Sequence, residues 1–273
     1  MVKGITSMLE PEEGLKTSFD GVPDLYDTHR PGYPEEMIQD VLRFSGIPKN
    51  GSILEIGCGT GQATKPFAGR GYAMTCLDPG PNTAEKARQK FRHCPNVTVV
   101  TSTFEAWQPD RLYDLVIAAT SFHWVAPGLR FTKSARLLRP GGTLALLYNS
   151  HVAKDSGFFL EAQAIYERIT PGLRAKRAKP SELFATEAGM ELFAKPVLKF
   201  YDWEKQFSAD DYVSHLGTFS DHISLPEAQR EELFREIRAL IEGKYNDRVS
   251  KSYKSELVLY AKPAANTSGD NLA

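Results

Sequence analysis

The sequence predicts an α/β fold built on a doubly wound, mostly parallel sheet, and three observations predict it. Short apolar runs recur through residues 50–150: "SILEIG", "AMTCLD", "VTVVT", "LVIAAT" and "LALLYN". Stretches with helical spacing, "PNTAEKARQKFRH" and "GLRFTKSARLL", lie between them. The first run breaks into "GCGTG", and glycines this dense mark a backbone that turns tightly or that a ligand approaches closely. Short strands alternating with crossover helices lie parallel and are covered on both faces. Residues 50–150 therefore read as five β-α units.

Residues 1–32 lack periodicity, hold several Gly and Pro, and read as an N-terminal arm. "PEEMIQDVLRFSGI" then places Met37, Ile38, Val41, Leu42 and Phe44 at helical spacing. Asn82, with Glu85 three residues on, reads as a helix cap, and "RPGG" (139–142) as a turn. After Asn149 the rhythm changes. Helical stretches are expected near 157–169 and 181–193, then a β-like segment around Val197 to Phe207. A helix with Leu233, Ile237, Leu240 and Ile241 on one face follows, and "SELVLYAK" closes as a strand. Residues 151–195 read as a helical lid over the strand ends, inside one domain spanning 33–262. "PAANTSGDNLA" (263–273) reads as a disordered tail.

With 273 residues, 41% hydrophobic and 25% charged, the chain has ordinary globular composition. A net charge of −1 provides no field to draw in nucleic acid or an anionic membrane. The densest basic stretch, "LRAKRAK" (173–179), is short and reads as a solvated helix end or loop. No apolar run approaches the roughly 20 residues that span a bilayer, and the N-terminus has no secretory pattern. Cys58, Cys76 and Cys94 show neither metal-ligand nor disulfide spacing, and two of them sit in apolar segments, which suits a reducing compartment. The six histidines show no ligand spacing, and no metal is expected. The chain reads as soluble and cytoplasmic, without a nucleic-acid partner.

Ligands of open α/β sheets bind outside the carboxyl ends of the strands, where the glycine loop lies. "GTGQAT" lacks the Gly-Lys-Ser/Thr ending of a phosphate-binding P-loop. A dinucleotide fingerprint wants a small residue three after its second glycine, and Gln62 stands there. Glu55 ends the strand two residues before Gly57. Beside a pyrophosphate its carboxylate would cost about 4 kcal/mol at about 4 Å and an effective dielectric of about 20; beside a cation it is an asset. Asp78, at the end of the next strand, is placed to accept ribose hydroxyls. A ribose, no phosphate and a positive charge together describe S-adenosylmethionine.

The set Glu55-x-Gly57-x-Gly59-x-Gly61, Asp78, "STFEAW", "YDLVIAATSFHWV" and "LLRPGGTLAL" resembles the class I S-adenosylmethionine-dependent methyltransferases. Within that class it resembles the small-molecule branch with trans-aconitate and juvenile hormone acid methyltransferases, over roughly residues 18–261. The resemblance implies a Rossmann-like sheet of seven strands with an antiparallel last strand. It implies that Gly57, Gly59 and Gly61 line the methionine part of the cofactor, that Glu55 anchors its amino group and that Asp78 holds its ribose. Thr103, Phe104 and Glu105 fall where such enzymes hold the adenine, with the amino contact made by Thr103 or by Glu105, and Thr120 ends the fourth strand beside the cofactor. "YDTHRPGYP" (26–34) matches an N-terminal motif of the branch, which implies that Arg30 and Tyr33 close over the cofactor. A helix-entry salt bridge is the other reading of Arg30.

Methyl transfer from a sulfonium releases a neutral leaving group, so alignment and water exclusion matter more than acid catalysis. The candidates for the chemical step lie in "SFHWV". Trp124 is placed to offer its indole N–H to a substrate carboxylate, and His123 to take a proton from a hydroxyl or amine acceptor. The same residues are open to a packing reading, as are Trp107 and Trp203. Rival functions are a catalytically silent cofactor-binding module and an NAD-dependent oxidoreductase.

Overall fold

The apolar runs are strands of one sheet: β1 (Ser52–Ile56), β2 (Ala73–Asp78), β3 (Val97–Thr101), β4 (Tyr113–Ala119), β5 (Leu138–His151), β6 (Val197–Phe207) and β7 (Val249–Ala261). The computed structural model describes residues 18–109, 111–152, 157–171, 173, 184 and 187–264. The strand order is β3-β2-β1-β4-β5-β7-β6. Pairing is parallel from β3 through β5, while β7 runs antiparallel to both β5 and β6. This is the Rossmann-like methyltransferase topology that the resemblance implied, with its antiparallel last strand.

Alternate residues of the central strands feed opposite faces of the sheet. Leu54, Ile56, Val116, Leu144 and Leu146 pack with Phe131 and Ala135 of α5 (Leu129–Leu137). Ile53, Leu115, Ile117, Ala145 and Leu147 pack with Met37, Ile38 and Val41 of α2 (Glu35–Ser45) and Phe67 of α3 (Thr64–Ala68). Leu42 of α2 is only partly buried and Phe44 is 37% exposed, so the apolar stripe of that helix is narrower than its sequence. The "RPGG" turn is a bulge inside β5. Tyr113 pairs with Leu138 and Leu115 with Thr143, so two residues of β4 advance against five of β5, and Gly141 takes the left-handed φ of +80°.

A second cluster holds α6 (Phe158–Ile169), α7 (Ala209–Leu216) and α9 (Glu227–Lys244) against the far ends of β6 and β7 through Phe158, Tyr166, Tyr212, Leu233, Ile237 and Tyr253. The sequence foresaw α6, β6 and α9. It did not foresee α7 or α8 (Ser220–Ile223). Of the helix expected at 181–193, residues 190–192 form one 3-10 turn and several residues lie outside those described. "LRAKRAK" beyond Leu173 and the tail beyond Ala264 also lie outside them. The arm is not irregular where it is described: Ser18–Gly21 is a 3-10 turn and Pro23–His29 is α1. No helix among the described residues is long and apolar enough to cross a membrane.

One buried carboxylate ties α2 to the edge strand. Asp40, 4% exposed, accepts hydrogen bonds from Tyr201 Oη at 2.5 Å and from Arg43, and pairs with Lys199 at 2.9 Å. Burial by itself would raise its pKa. The bonds from Tyr201, Arg43 and Lys199 outweigh that and bring it down to about 2. Asp40→Ala leaves the Tyr201 hydroxyl without its acceptor and should lower unfolding free energy by about 1–3 kcal/mol at neutral pH. Because the folded pKa is depressed, the ionic part of this stabilisation is lost as pH falls from 3.8 towards about 2. Denaturant titrations of both proteins across that window should show the gap narrowing.

Candidate functional site

The site begins where β1 ends. Gly57 has φ +65°, and a Cβ there would meet the Ser121 Cβ at 2.6 Å, so only glycine lets the chain turn beneath the loop that follows β4. Ser121 Oγ donates to the Ile56 carbonyl and holds the two strand ends together. Cys58 N–H donates to the Leu77 carbonyl at 2.8 Å and Gly59 N–H to Asp78 Oδ2 at 2.8 Å, so the glycine loop is laced to the end of β2. Gly61 has another purpose. It lines neither cavity, and a Cβ there would strike the Phe91 ring. Packing against Phe91 is one demand for glycine at this position.

Two cavities meet at this loop. The larger, about 480 Å³, is bounded by Gly57, Gly59, Asp78, Thr103, Phe104, Glu105, Thr120 and Trp124. The smaller, about 40 Å³, is bounded by Arg30, Tyr33, Glu55, Gly57 and Thr120. Tyr26, Gly57, Ala119 and Thr120 belong to both walls. At this shared wall Tyr33 Oη and Thr120 Oγ1 are hydrogen-bonded at 2.9 Å. Thr120 is a β-branched residue at φ +55°, a backbone conformation that costs about 1–3 kcal/mol and collects at functional sites.

Glu55 is fully buried. Its Oε2 accepts from Thr64 Oγ1 at 2.6 Å and from the Cys76 thiol, while its Oε1 has no partner. Burial pushes the carboxyl up to about 7, against the hydrogen bonds from Thr64 and Cys76, with Asp78 adding repulsion. Across the small cavity, Arg30 donates to the carbonyl and hydroxyl of Thr218 and lies 4.5 Å from the Phe219 ring centre. These partners are neutral, which sets aside the helix-entry salt bridge. Asp78 is raised by burial, against hydrogen bonds from Thr83 Oγ1, Gly80 N–H and Gly59 N–H.

In the "TFE" segment, the Thr103 hydroxyl accepts from Ala106 N–H at 3.1 Å and Glu105 Oε1 from Ala126 N–H at 3.0 Å. Lys133 donates to the carbonyls of Phe104, Glu105 and Trp107 and fixes that turn. Trp124 lines the large cavity, but His123 lines neither; its ring faces Trp124 at 4.9 Å and Tyr148 at 6.2 Å. Trp107 packs on Tyr113, and Trp203 stacks on Tyr253 with its indole N–H donating to Ser255 Oγ.

Among the described residues the cover of the site comes from the arm. No described residue of 151–195 lines either cavity. The arm does, through Phe19, Asp20, Tyr26 and Arg30. Phe19 lies edge-on to both Tyr26 and Trp124, and α7–α8 with their loop add His215 and Phe219. Asp20 also corrects the expected helix cap. α4 (Pro81–Lys90) has no side-chain cap of its own, and Asp20 Oδ1 accepts from Asn82 N–H at 2.7 Å and Thr83 N–H at 2.9 Å. Asp24 pairs with Lys86 and Asp27 with Lys90, both at 2.6 Å. None of these contacts, spanning some sixty residues of chain, leaves a local pattern.

Asp20→Ala removes both the helix cap and the pin of the arm. It should cost about 0.5–2 kcal/mol in thermal unfolding and open the 18–33 segment to limited proteolysis, while Asp24→Ala, an exposed pair, changes little. Equal cleavage of Asp20→Ala and wild type would show that the arm is held by something else.

Residues 53–142 match the model of a methyltransferase domain family. The chain is 31% identical over 136 residues to an uncharacterised methyltransferase of Mycobacterium bovis, covering 50% of this chain and 54% of that protein. It therefore spans about half the length of the first curated relatives it matches. An uncharacterised methyltransferase of Schizosaccharomyces pombe is 27% identical over 223 residues, covering 79% of this chain and 84% of that one. A type II methyltransferase structure from Anaeromyxobacter dehalogenans superposes with a TM-score of 0.59 at 24% identity, over 86% of this chain and all but 1% of that one. A Haemonchus contortus phosphoethanolamine N-methyltransferase solved with S-adenosyl-L-methionine gives 0.52 at 15% identity, over 96% of this chain and 60% of that one. Residues 53–142 are thus similar to a methyltransferase domain, and they lie within the seven-stranded methyltransferase fold.

Proposed function

We propose that the chain transfers a methyl group from S-adenosyl-L-methionine to a small-molecule acceptor. The observation that carries this reading is the small cavity, whose wall holds a buried carboxylate oxygen without a partner, Glu55 Oε1, and a guanidinium with neutral partners, Arg30. One wall with both signs of charge suits an α-amino acid end, Glu55 taking the ammonium and Arg30 the carboxylate. The large cavity suits an adenosine, with Asp78 towards the ribose and Phe104 and Trp124 as apolar walls. Gly57 leaves the loop open to the ligand, and the rings of Tyr26 and Tyr33 suit a sulfonium cation. The cofactor, once bound, supplies an electrophilic methyl whose transfer leaves a neutral thioether. Everything else falls to the chain: Tyr33 and Thr120 shape the passage between the cavities, and the arm excludes water.

Glu55 also argues against the oxidoreductase reading, because a pyrophosphate in the small cavity would meet a buried carboxylate, and Arg30 alone would have to offset that repulsion. Turnover of S-adenosyl-L-methionine to S-adenosylhomocysteine with any acceptor separates a working enzyme from a silent module. Of the two roles weighed for "SFHWV", the Trp124 position on the cavity wall supports contact with a carboxylate acceptor, while nothing in the cavities supports His123 as a base. With a carboxylate acceptor, Trp124→Phe should raise KM with little change in kcat, and His123→Ala should leave both near wild type. A loss in kcat of about 10² for His123→Ala would reverse the assignment.

The sign of the pH effect follows from Glu55. Its carboxyl titrates at about 7, and the ionised form is the one that holds an ammonium. Calorimetric affinity for S-adenosylhomocysteine should rise with pH through about 7 and flatten above it. The Glu55→Gln variant should bind at least tenfold more weakly, as should Asp78→Ala. Without ligand the sign inverts: a carboxyl raised from 4.5 to about 7 contributes stability below pH 4.5 that is lost as pH rises through about 7. A flat affinity profile in wild type would remove Glu55 from the ammonium site.

A further inference from the structure

The last pairing of β4 with β5 is Ala119 with Leu147. Asn149, two residues further along β5, therefore has β7 on one side and, among the described residues, no strand on the other. Its side chain lines the small cavity, and the cofactor reading gives it no part. Register sets Asn149 opposite Ser255 of β7, which is fully buried. Three hydrogen bonds run through this pair in one direction. Trp203 Nε1 donates to Ser255 Oγ at 2.7 Å, Ser255 Oγ to Asn149 Oδ1 at 2.6 Å, and Asn149 Nδ2 to the Gly32 carbonyl at 2.9 Å. An indole N–H can only donate and a hydroxyl has a single hydrogen, so Trp203 obliges Ser255 to donate onward. That fixes which end of the Asn149 amide faces Ser255 and leaves the NH2 end for Gly32. Trp203 is itself held by its stack on Tyr253, with ring centres 4.4 Å apart.

The loop at the far end of this chain is stiff on one side and loose in the middle. Arg30 has φ −75° and ψ 126°, the extended conformation that a following proline favours, and the ring of Pro31 fixes its own φ. Gly32 comes next, the residue type with the loosest backbone, and a Cβ on it would meet nothing within 4 Å. Gly32 is thus a swivel between the Arg30-Pro31 pair and Tyr33. Tyr33 is tied to Thr120 Oγ1, and Thr120 N–H donates to the Leu147 carbonyl of β5 at 2.8 Å. The bond from Asn149 is a second grip from the same strand, placed on the swivel itself.

We infer that Asn149 is a positioning residue: by holding the Gly32 carbonyl it sets where the Arg30 guanidinium stands for the carboxylate end of the cofactor. Ser255 sets the Asn149 amide in turn, and does so without lining either cavity. This rests on the methyl-transfer reading and adds to it residues of β5 and β7 that govern one end of the cofactor. The adenosine end is outside their reach, because Asn149 lines no part of the large cavity.

The test is calorimetry on the whole chain with two probes, S-adenosylhomocysteine and adenosine, of which adenosine lacks the amino-acid end. Wild type should bind both. Asn149→Ala should bind S-adenosylhomocysteine about fivefold more weakly and Ser255→Ala about threefold, the losses expected of one hydrogen bond and of its orienting partner. Both variants should bind adenosine as wild type does. In an Arg30→Ala background, Asn149→Ala should weaken S-adenosylhomocysteine by less than about twofold, because a residue that acts through another has nothing left to act on. Equal losses for adenosine and S-adenosylhomocysteine would overturn the inference by giving Asn149 a general structural role. Full and independent losses from Arg30→Ala and Asn149→Ala would do so by uncoupling the two residues. Wild-type affinity for S-adenosylhomocysteine in either Asn149→Ala or Ser255→Ala would also do so. Failure of wild type to bind S-adenosylhomocysteine is a separate result, which removes the methyl-transfer reading and this inference with it.

Discussion

A carboxylate removed from water at the end of β1 constrains everything around it. Glu55 has one oxygen bonded to Thr64 and Cys76 and the other bonded to nothing. A group in that state is stable only if the rest of the fold holds it there. The sheet does so: β1 is buried along its whole length between β2 and β4, and the glycine turn that follows is locked to Leu77 and Asp78 on one side and to Ser121 on the other. The cavities, the shared wall at Thr120 and the place of Arg30 all follow from where this strand ends. The fold spends stability at Glu55 and again in the backbone of Thr120, and both expenditures face the same space.

The arm completes that space. α1 buries none of its residues fully, and short helices of this kind are marginal in isolation. The order of the arm comes from the α4 terminus and flank, which Asp20, Asp24 and Asp27 engage, and from Phe19 against Trp124. One helix thus serves two purposes. Its N-terminus follows Asp78 and borders the large cavity, and its exposed flank holds down the segment that covers that cavity.

What the sequence disclosed divides along a physical line. The five parallel strands, α2, α6, β6 and α9 were legible because periodicity is a local property of the chain. The placement of Glu55, Gly57, Gly59 and Asp78 at the ends of β1 and β2 was legible because each follows directly from where an apolar run stops. A glycine required by a ligand and one required by a phenylalanine ring, as at Gly61, look the same in sequence. Asn82 was read as a cap because the motif is local, while the group that caps the helix lies 62 residues upstream. Tyr26, His215 and Phe219 reach the small cavity only through tertiary packing. Asn149 and Ser255 are paired by antiparallel register between strands about a hundred residues apart, and no sequence rule sets that register in advance.

The place of β7 has a consequence for how the sheet is completed during synthesis. Among the described residues β6 has no neighbour other than β7, and β7 follows every other strand of the sheet in the chain. Until it emerges, the parallel half can close around β1 and β4, while β5 and β6 each present an open edge with apolar residues beside it. Leu198 and Phe200 remain exposed even afterwards. Such edges are templates for pairing with other chains, and a strand that must enter between two others pays its loop-closure entropy last. The nascent protein is therefore most exposed to misassociation in the interval between the synthesis of β6 and that of β7, when the parallel core is already in place and the strand that joins the two edges is missing.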